Sequence, residues 1–256
     1  MSLSNEELSL LSAILSKIDE REWPWLDHYI IANPHGFQAF ARAVAESPDL
    51  NGLTLLHACM RKDAPIATVQ LLLHLLPDGL SKVDCSGRTP LHVAAGMGAS
   101  LPCIQLLIQI CPEAASMKDR DGKTALHLAC DSSCELFEGD EGFTKPPPSY
   151  DVVHTLMRAS PTTVHLEDDD GMNAVEYAII SNAPIKVVMT LQKGTRDYFE
   201  KRKVHENESM ERKGTGTSSP MSIDDDAQTR MKFQPTASVS VCRSEGLEEV
   251  GGFLND

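Results

Sequence analysis

The segment SGRTPLHVAA, residues 86–95, decides the fold of this 256-residue chain because it recurs. NGLTLLHACM (51–60), DGKTALHLAC (121–130) and DGMNAVEYAI (170–179) align with it. In each, a glycine permits a tight turn, a Thr or Asn stands where a helix needs its cap, and small and apolar residues follow. The capping positions Thr54, Thr89, Thr124 and Asn173 are 35, 35 and 49 residues apart. A second ladder keeps step with the first: Pro77, Pro112 and Pro161 end apolar stretches, each 12 residues before the next cap. Two ladders in phase mark an internal repeat.

Each unit predicts two helices. The second carries apolar residues at helical spacing, Val69, Leu72, Leu73 and Leu76 in one unit and Ile104, Leu107, Ile108 and Cys111 in the next. One unit cannot bury such a stripe alone, and stacking neighbours buries both faces in one continuous core. Leu91 and Leu126 share a slot and are expected to be buried equivalents.

These residues resemble the ankyrin repeats, whose signature is T-P-L-H-x-A on a period of about 33 residues. TPLHVAA at 89–95 fits it fully and TALHLAC at 124–130 and TLLHACM at 54–60 fit closely. NAVEYAI at 173–179 departs, with Asn173 and Glu176 where Thr and His belong, as a capping repeat with polar substitutions would. The resemblance covers about residues 49–193. It implies an all-α solenoid of stacked helix-turn-helix units with short hairpin loops. It also implies a non-catalytic protein-interaction scaffold or adaptor, holding its partner on a concave face of hairpin tips and first helices. Thr54, His57, Thr89, His92, Thr124 and His127 are then structural signature residues, each His bonding backbone of the adjacent unit.

Outward from the repeats, residues 1–48 read as N-terminal helices, a divergent repeat or cap, with a break at Asn33-Pro34 and an amphipathic helix at 5–18. The 49-residue interval exceeds the 35-residue step by 14 residues. That excess lies at about 134–149, between the two helices of one unit, and is expected to project as a surface loop. From 194 to 256 the pattern stops at Gly194, a short helix at 195–204 follows, and a Ser-, Gly- and acid-rich stretch from 206 is expected to be disordered.

Composition narrows the function. Net charge is −14, which removes the basic footprint needed for nucleic acid or an anionic membrane. Most of it, −11, falls within residues 1–193, so the expected partner is a protein with a basic surface. The seven cysteines are odd in number and lack CxxC pairs, against a disulfide scaffold. The N-terminus has no signal-peptide pattern and the longest apolar run is short of a membrane span, so an intracellular, cytoplasmic or nuclear monomer is expected.

The sequence holds no nucleophile elbow, P-loop, HExxH or dinucleotide fingerprint, and no catalytic residue, metal ligand or cofactor is assigned. His127, Cys130 and Cys134 could suggest zinc, but a fourth ligand is lacking and Cys130 fills the slot of Ala95. The candidates for partner binding are charged residues of the hairpin tips: Arg88, Arg120, Lys123, Glu167, Asp168, Asp169 and Asp170. Solvated loop charge is the plainer reading of the same residues. Pro147, Pro148 and Tyr150 match the P-P-x-Y segment taken by WW domains, or else form a stiff spacer whose Tyr150 begins the next helix. Ser219-Pro220 and Ser222 before Asp224–Asp226 fit kinase preferences, which admits a second reading: a regulatory or inhibitory enzyme subunit controlled by a phosphorylatable tail.

Overall fold

A computed structural model describes residues 3–133, 136–137 and 145–214, the last ten as backbone alone. Three helices open the chain: α1 (Asn5–Asp19), α2 (Trp23–Ala32) and α3 (Pro34–Glu46). Four helix pairs follow: α4 (Leu55–Arg61) with α5 (Ile66–Leu75), α6 (Pro90–Met97) with α7 (Leu101–Ile110), α8 (Ala125–Cys130) with α9 (Tyr150–Ala159), and α10 (Ala174–Ile180) with α11 (Ile185–Gly214). Among the described residues there is no β-strand, and a single isolated bridge joins Glu167 to Asn173.

The inner helices stack in one column, α4 on α6 on α8 on α10, and the outer helices in another, α5 on α7 on α9. α2 continues the outer column below α5, while α1 and α3 both reach α4. The inner helices α4, α6 and α8 are short and rich in Ala, Cys and Leu because they are buried almost throughout, and all eight residues of α6 are buried, whereas α10 leaves Glu176, Ile179 and Ile180 exposed. The outer helices bury one stripe each: Val69, Leu72 and Leu73; Cys103, Ile104 and Leu107; Val152, Val153 and Leu156.

The link after α3 and those leaving the outer helices α5, α7 and α9 each start on a proline. Pro48, Pro77, Pro112 and Pro161 each open a 3-10 turn. Proline cannot donate to the helical ladder, and its ring forces the residue before it out of the α region. Leu76, Cys111 and Ser160 accordingly have ψ of 66°, 76° and 87°.

Two sequence expectations need correction. The short helix expected at 195–204 is not separate: α11 runs through Gly194 without a break and continues past 206 to Gly214. Gly194 marks a close approach: a Cβ there would lie 2.3 Å from Met157 Cε and 3.4 Å from Val164 Cγ2. The rest of the expected tail, with its serine sites, lies outside the described residues. Within the insertion, the described Leu136 does not project but is buried and covers Gly96 of α6.

Leu91 and Leu126 are each 1% exposed at matching places in α6 and α8. Replacing either by Ala is expected to cost about 2–5 kcal/mol, read as the shift in a chemical denaturation curve. A near-neutral effect at both would contradict the stacked core.

Candidate partner-binding face

The hairpins are built on one carboxylate each. Asp84, Asp119 and Asp168 occupy the same slot, three residues before the turn glycines Gly87, Gly122 and Gly171. Oδ1 of Asp84 accepts the amides of Ser86 and Arg88, both at 2.9 Å. Asp119 Oδ1 takes those of Asp121 at 3.1 Å and Lys123 at 2.8 Å, and Asp168 Oδ1 those of Asp170 at 3.1 Å and Met172 at 2.9 Å. The three glycines have φ of +75°, a left-handed conformation that a side chain would strain. Adjacent hairpins are joined by backbone, Arg120 N–H to Ser86 O at 2.8 Å and Asp169 N–H to Asp121 O at 3.0 Å. A D-x-x-G-x pattern in step with the caps was the signal for this staple, and sequence reasoning missed it.

The staple reassigns three of the seven tip candidates to internal work. Asp168 is buried, and its Oδ2 accepts the Tyr177 hydroxyl at 2.6 Å. Burial pushes its carboxyl up, but the Tyr177 hydroxyl and the Met172 and Asp170 amides outweigh this and hold it below the usual carboxylate value. Burial and the bond to Asp168 push the Tyr177 hydroxyl up to about 12. Lys123 pairs with Asp131 at 3.5 Å and lies over the Tyr177 ring at 4.8 Å. Arg88 pairs through Nε with Asp84 Oδ2 at 2.8 Å and donates to the Leu136 carbonyl at 2.5 Å. Arg120, Glu167, Asp169 and Asp170 are the four candidates with exposed side chains.

Behind the tips, the signature residues close a capping box in each unit. Thr54, Thr89 and Thr124 donate their amides to Nδ1 of His57, His92 and His127 at 3.2, 3.2 and 3.1 Å. Because Nδ1 accepts, the proton of each neutral ring is on Nε2. Nε2–H then donates across the unit boundary to Arg88 O at 2.9 Å, Met117 O at 3.1 Å and Leu166 O at 2.9 Å. In the fourth unit Asn173 caps α10 and Glu176 accepts the Asn173 amide at 2.8 Å, so the box persists with an exposed carboxylate in place of the ring.

Burial lowers all three imidazoles, His92 to about 4. With both nitrogens of His127 engaged and burial pushing the Cys130 thiol up to about 12, this pair offers no metal-ligating groups; Cys134 lies outside the described residues. No group of three or more His, Cys, Asp or Glu among the described residues is placed to hold a metal ion. No described helix is long and apolar enough to cross a membrane.

The P-P-x-Y segment is folded into the molecule. Pro147 is exposed, but Pro148 is buried and Tyr150 is the first residue of α9. The Tyr150 ring stacks on His154 with centroids 5.6 Å apart, and Lys186 Nζ sits 3.6 Å from its centre. A domain that must grip both Pro148 and Tyr150 finds them occupied, which corrects the WW-type reading.

On the inner helices, two guanidinium groups lie over the Phe137 ring, Arg61 Cζ at 4.6 Å and Arg88 Cζ at 4.9 Å from its centre. A Cβ on Gly96 would lie 2.5 Å from Leu136 Cδ1. Lys145 donates to the carbonyls of Leu128, Ala129 at 3.2 Å and Asp131 at 2.9 Å, closing the C-terminal end of α8 with a cation. Sequence reading missed Arg61, Leu136 and Phe137.

Ankyrin repeats (three copies) match residues 28–111 and 55–138 of the chain. Curated proteins yielded no match. The match starts within α2, upstream of the first recognisable signature, and ends before the fourth unit, whose kinship rests on its capping box and stapled hairpin.

The buried imidazoles set a pH dependence. An unfolded imidazole takes up its proton near pH 6.5, whereas folded His92 stays neutral down to about 4. The unfolded chain binds more protons in that window, so this contribution to stability is complete above about pH 6.5 and falls as the pH drops toward 4. Denaturant midpoints followed across that window should fall, and His92→Gln should flatten the curve. A midpoint independent of pH would contradict the neutral tautomers.

Proposed function

Because the chain is an ankyrin-repeat protein, and such repeats serve generally as protein-interaction modules, we propose that it is a non-catalytic scaffold or adaptor that holds a protein partner on its hairpin tips and inner helices. One observation carries the choice of partner charge. Glu167, Asp169 and Asp170 are exposed side by side on the last hairpin, while the neighbouring Lys123 is committed to Asp131 and Tyr177. Lys118 reaches the Glu167 carbonyl at 2.8 Å, but one ammonium against three exposed carboxylates leaves the hairpin acidic, which favours a partner segment rich in Lys or Arg and brings it in by long-range attraction.

The test separates these three from the stapling aspartate. Glu167→Lys, Asp169→Lys and Asp170→Lys combined should abolish capture of a basic partner and leave the thermal midpoint within about 2–4 °C of wild type, as surface changes do. Asp168→Asn alone should instead lower stability while leaving the exposed charge in place. Capture undiminished by the triple reversal, with the protein folded, would end the proposal.

A further inference from the structure

The insertion places a dipeptide on the inner-helix face, and the way it is held describes a site. Arg61 and Gly96 are equivalent positions in successive units, each seven residues after its cap, so the stacking itself sets a cation beside a bare backbone patch. Leu136 fills the space left by the missing Cβ of Gly96 and is 7% exposed. The Arg61 and Arg88 guanidiniums both lie over the Phe137 ring, an arrangement in which the ring's negative π-system meets two cations. Arg88 is pre-positioned by its pair with Asp84 and also binds the backbone between the two side chains, at Leu136 O. The socket thus specifies an aliphatic residue, its carbonyl and a following aromatic ring. In sequence the dipeptide is flanked by Glu135 and Glu138, opposite in charge to the two arginines.

We propose that Arg61, Arg88 and Gly96 form a peptide-recognition socket, that Leu136-Phe137 is its built-in occupant, and that the partner is a protein segment carrying an aliphatic–aromatic pair between acidic residues, which displaces it. This rests on the reading of the inner-helix face as a partner surface. A tethered segment competes at an effective concentration of about 1 mM. Apparent affinity for an incoming segment is reduced by the fraction of chains whose socket is filled.

The probe is a labelled synthetic peptide of residues 132–140 with Cys134→Ser, titrated to about 1 mM onto the full chain and followed by fluorescence anisotropy. It should bind the Leu136→Ala/Phe137→Ala protein, bind wild type at least about tenfold more weakly, and fail to bind once Arg61→Glu is added to the double variant. A peptide with Leu136→Ala and Phe137→Ala should not bind, and one with Glu135→Lys and Glu138→Lys should bind more weakly. Should the double variant not fold, Phe137→Ala alone keeps the Leu136 packing and is expected to give an intermediate affinity. Equal binding to wild type and variant, or no binding to either variant, overturns the proposal. So does a concentration-dependent wild-type dimer lost in Phe137→Ala, which would give the socket to a second copy. Glu167, Asp169 and Asp170 are untouched in every arm, so a negative result here with charge-dependent capture intact defeats the socket and leaves the scaffold reading standing.

Discussion

A neutral imidazole that accepts on one nitrogen and donates on the other is the interaction on which the stack depends. Nδ1 closes the capping box of its own helix and Nε2–H reaches a carbonyl of the next unit, so a single side chain fixes both where a helix starts and how far away its neighbour lies. Both roles require a buried ring without charge, and the three histidine-bearing helices α4, α6 and α8 supply that environment. The hairpin amides that bond from Arg120 to Ser86 and from Asp169 to Asp121 hold the same spacing at the outer edge. With the pitch set at both edges, Ala- and Leu-rich inner helices close against each other with little freedom.

The repeat architecture was legible because its determinants are local and periodic. Thr, His and Pro each act within a few residues, and recurrence every 35 residues lifts them above chance. Acidic residues at the tips were harder to read. In the run Asp168, Asp169, Asp170 the first is a buried backbone staple and the other two are exposed, a distinction carried by turn geometry and not by residue type. Gly194 was hard to read for a similar reason: a glycine where a pattern stops gives no sign that a helix passes through it, and only the position of Met157 shows the close approach it serves.

The non-local part was illegible in principle. Nothing near Arg88 announces that Leu136, 48 residues on, will return to it, and an insertion inside a repeat carries no period from which its path could be inferred. The structure sets Leu136 and Phe137 of that insertion on the inner face. Its consequence is two surfaces of opposite demand on one solenoid: carboxylates at the last hairpin and guanidiniums between the first two inner helices. A partner engaging both would have one permitted direction along the stack.

Glu176 bears on how such a protein can be lengthened. An imidazole has a proton to hand onward, but a carboxylate that already accepts the Asn173 amide has none. A fifth unit grafted behind α10 would find no donor for its first carbonyl, and the graft would begin with an unmet polar group at its seam. Lengthening by tandem duplication is therefore favoured among the histidine-bearing units, where a copy brings its own donor. Past the fourth unit, growth first needs the glutamate exchanged for histidine.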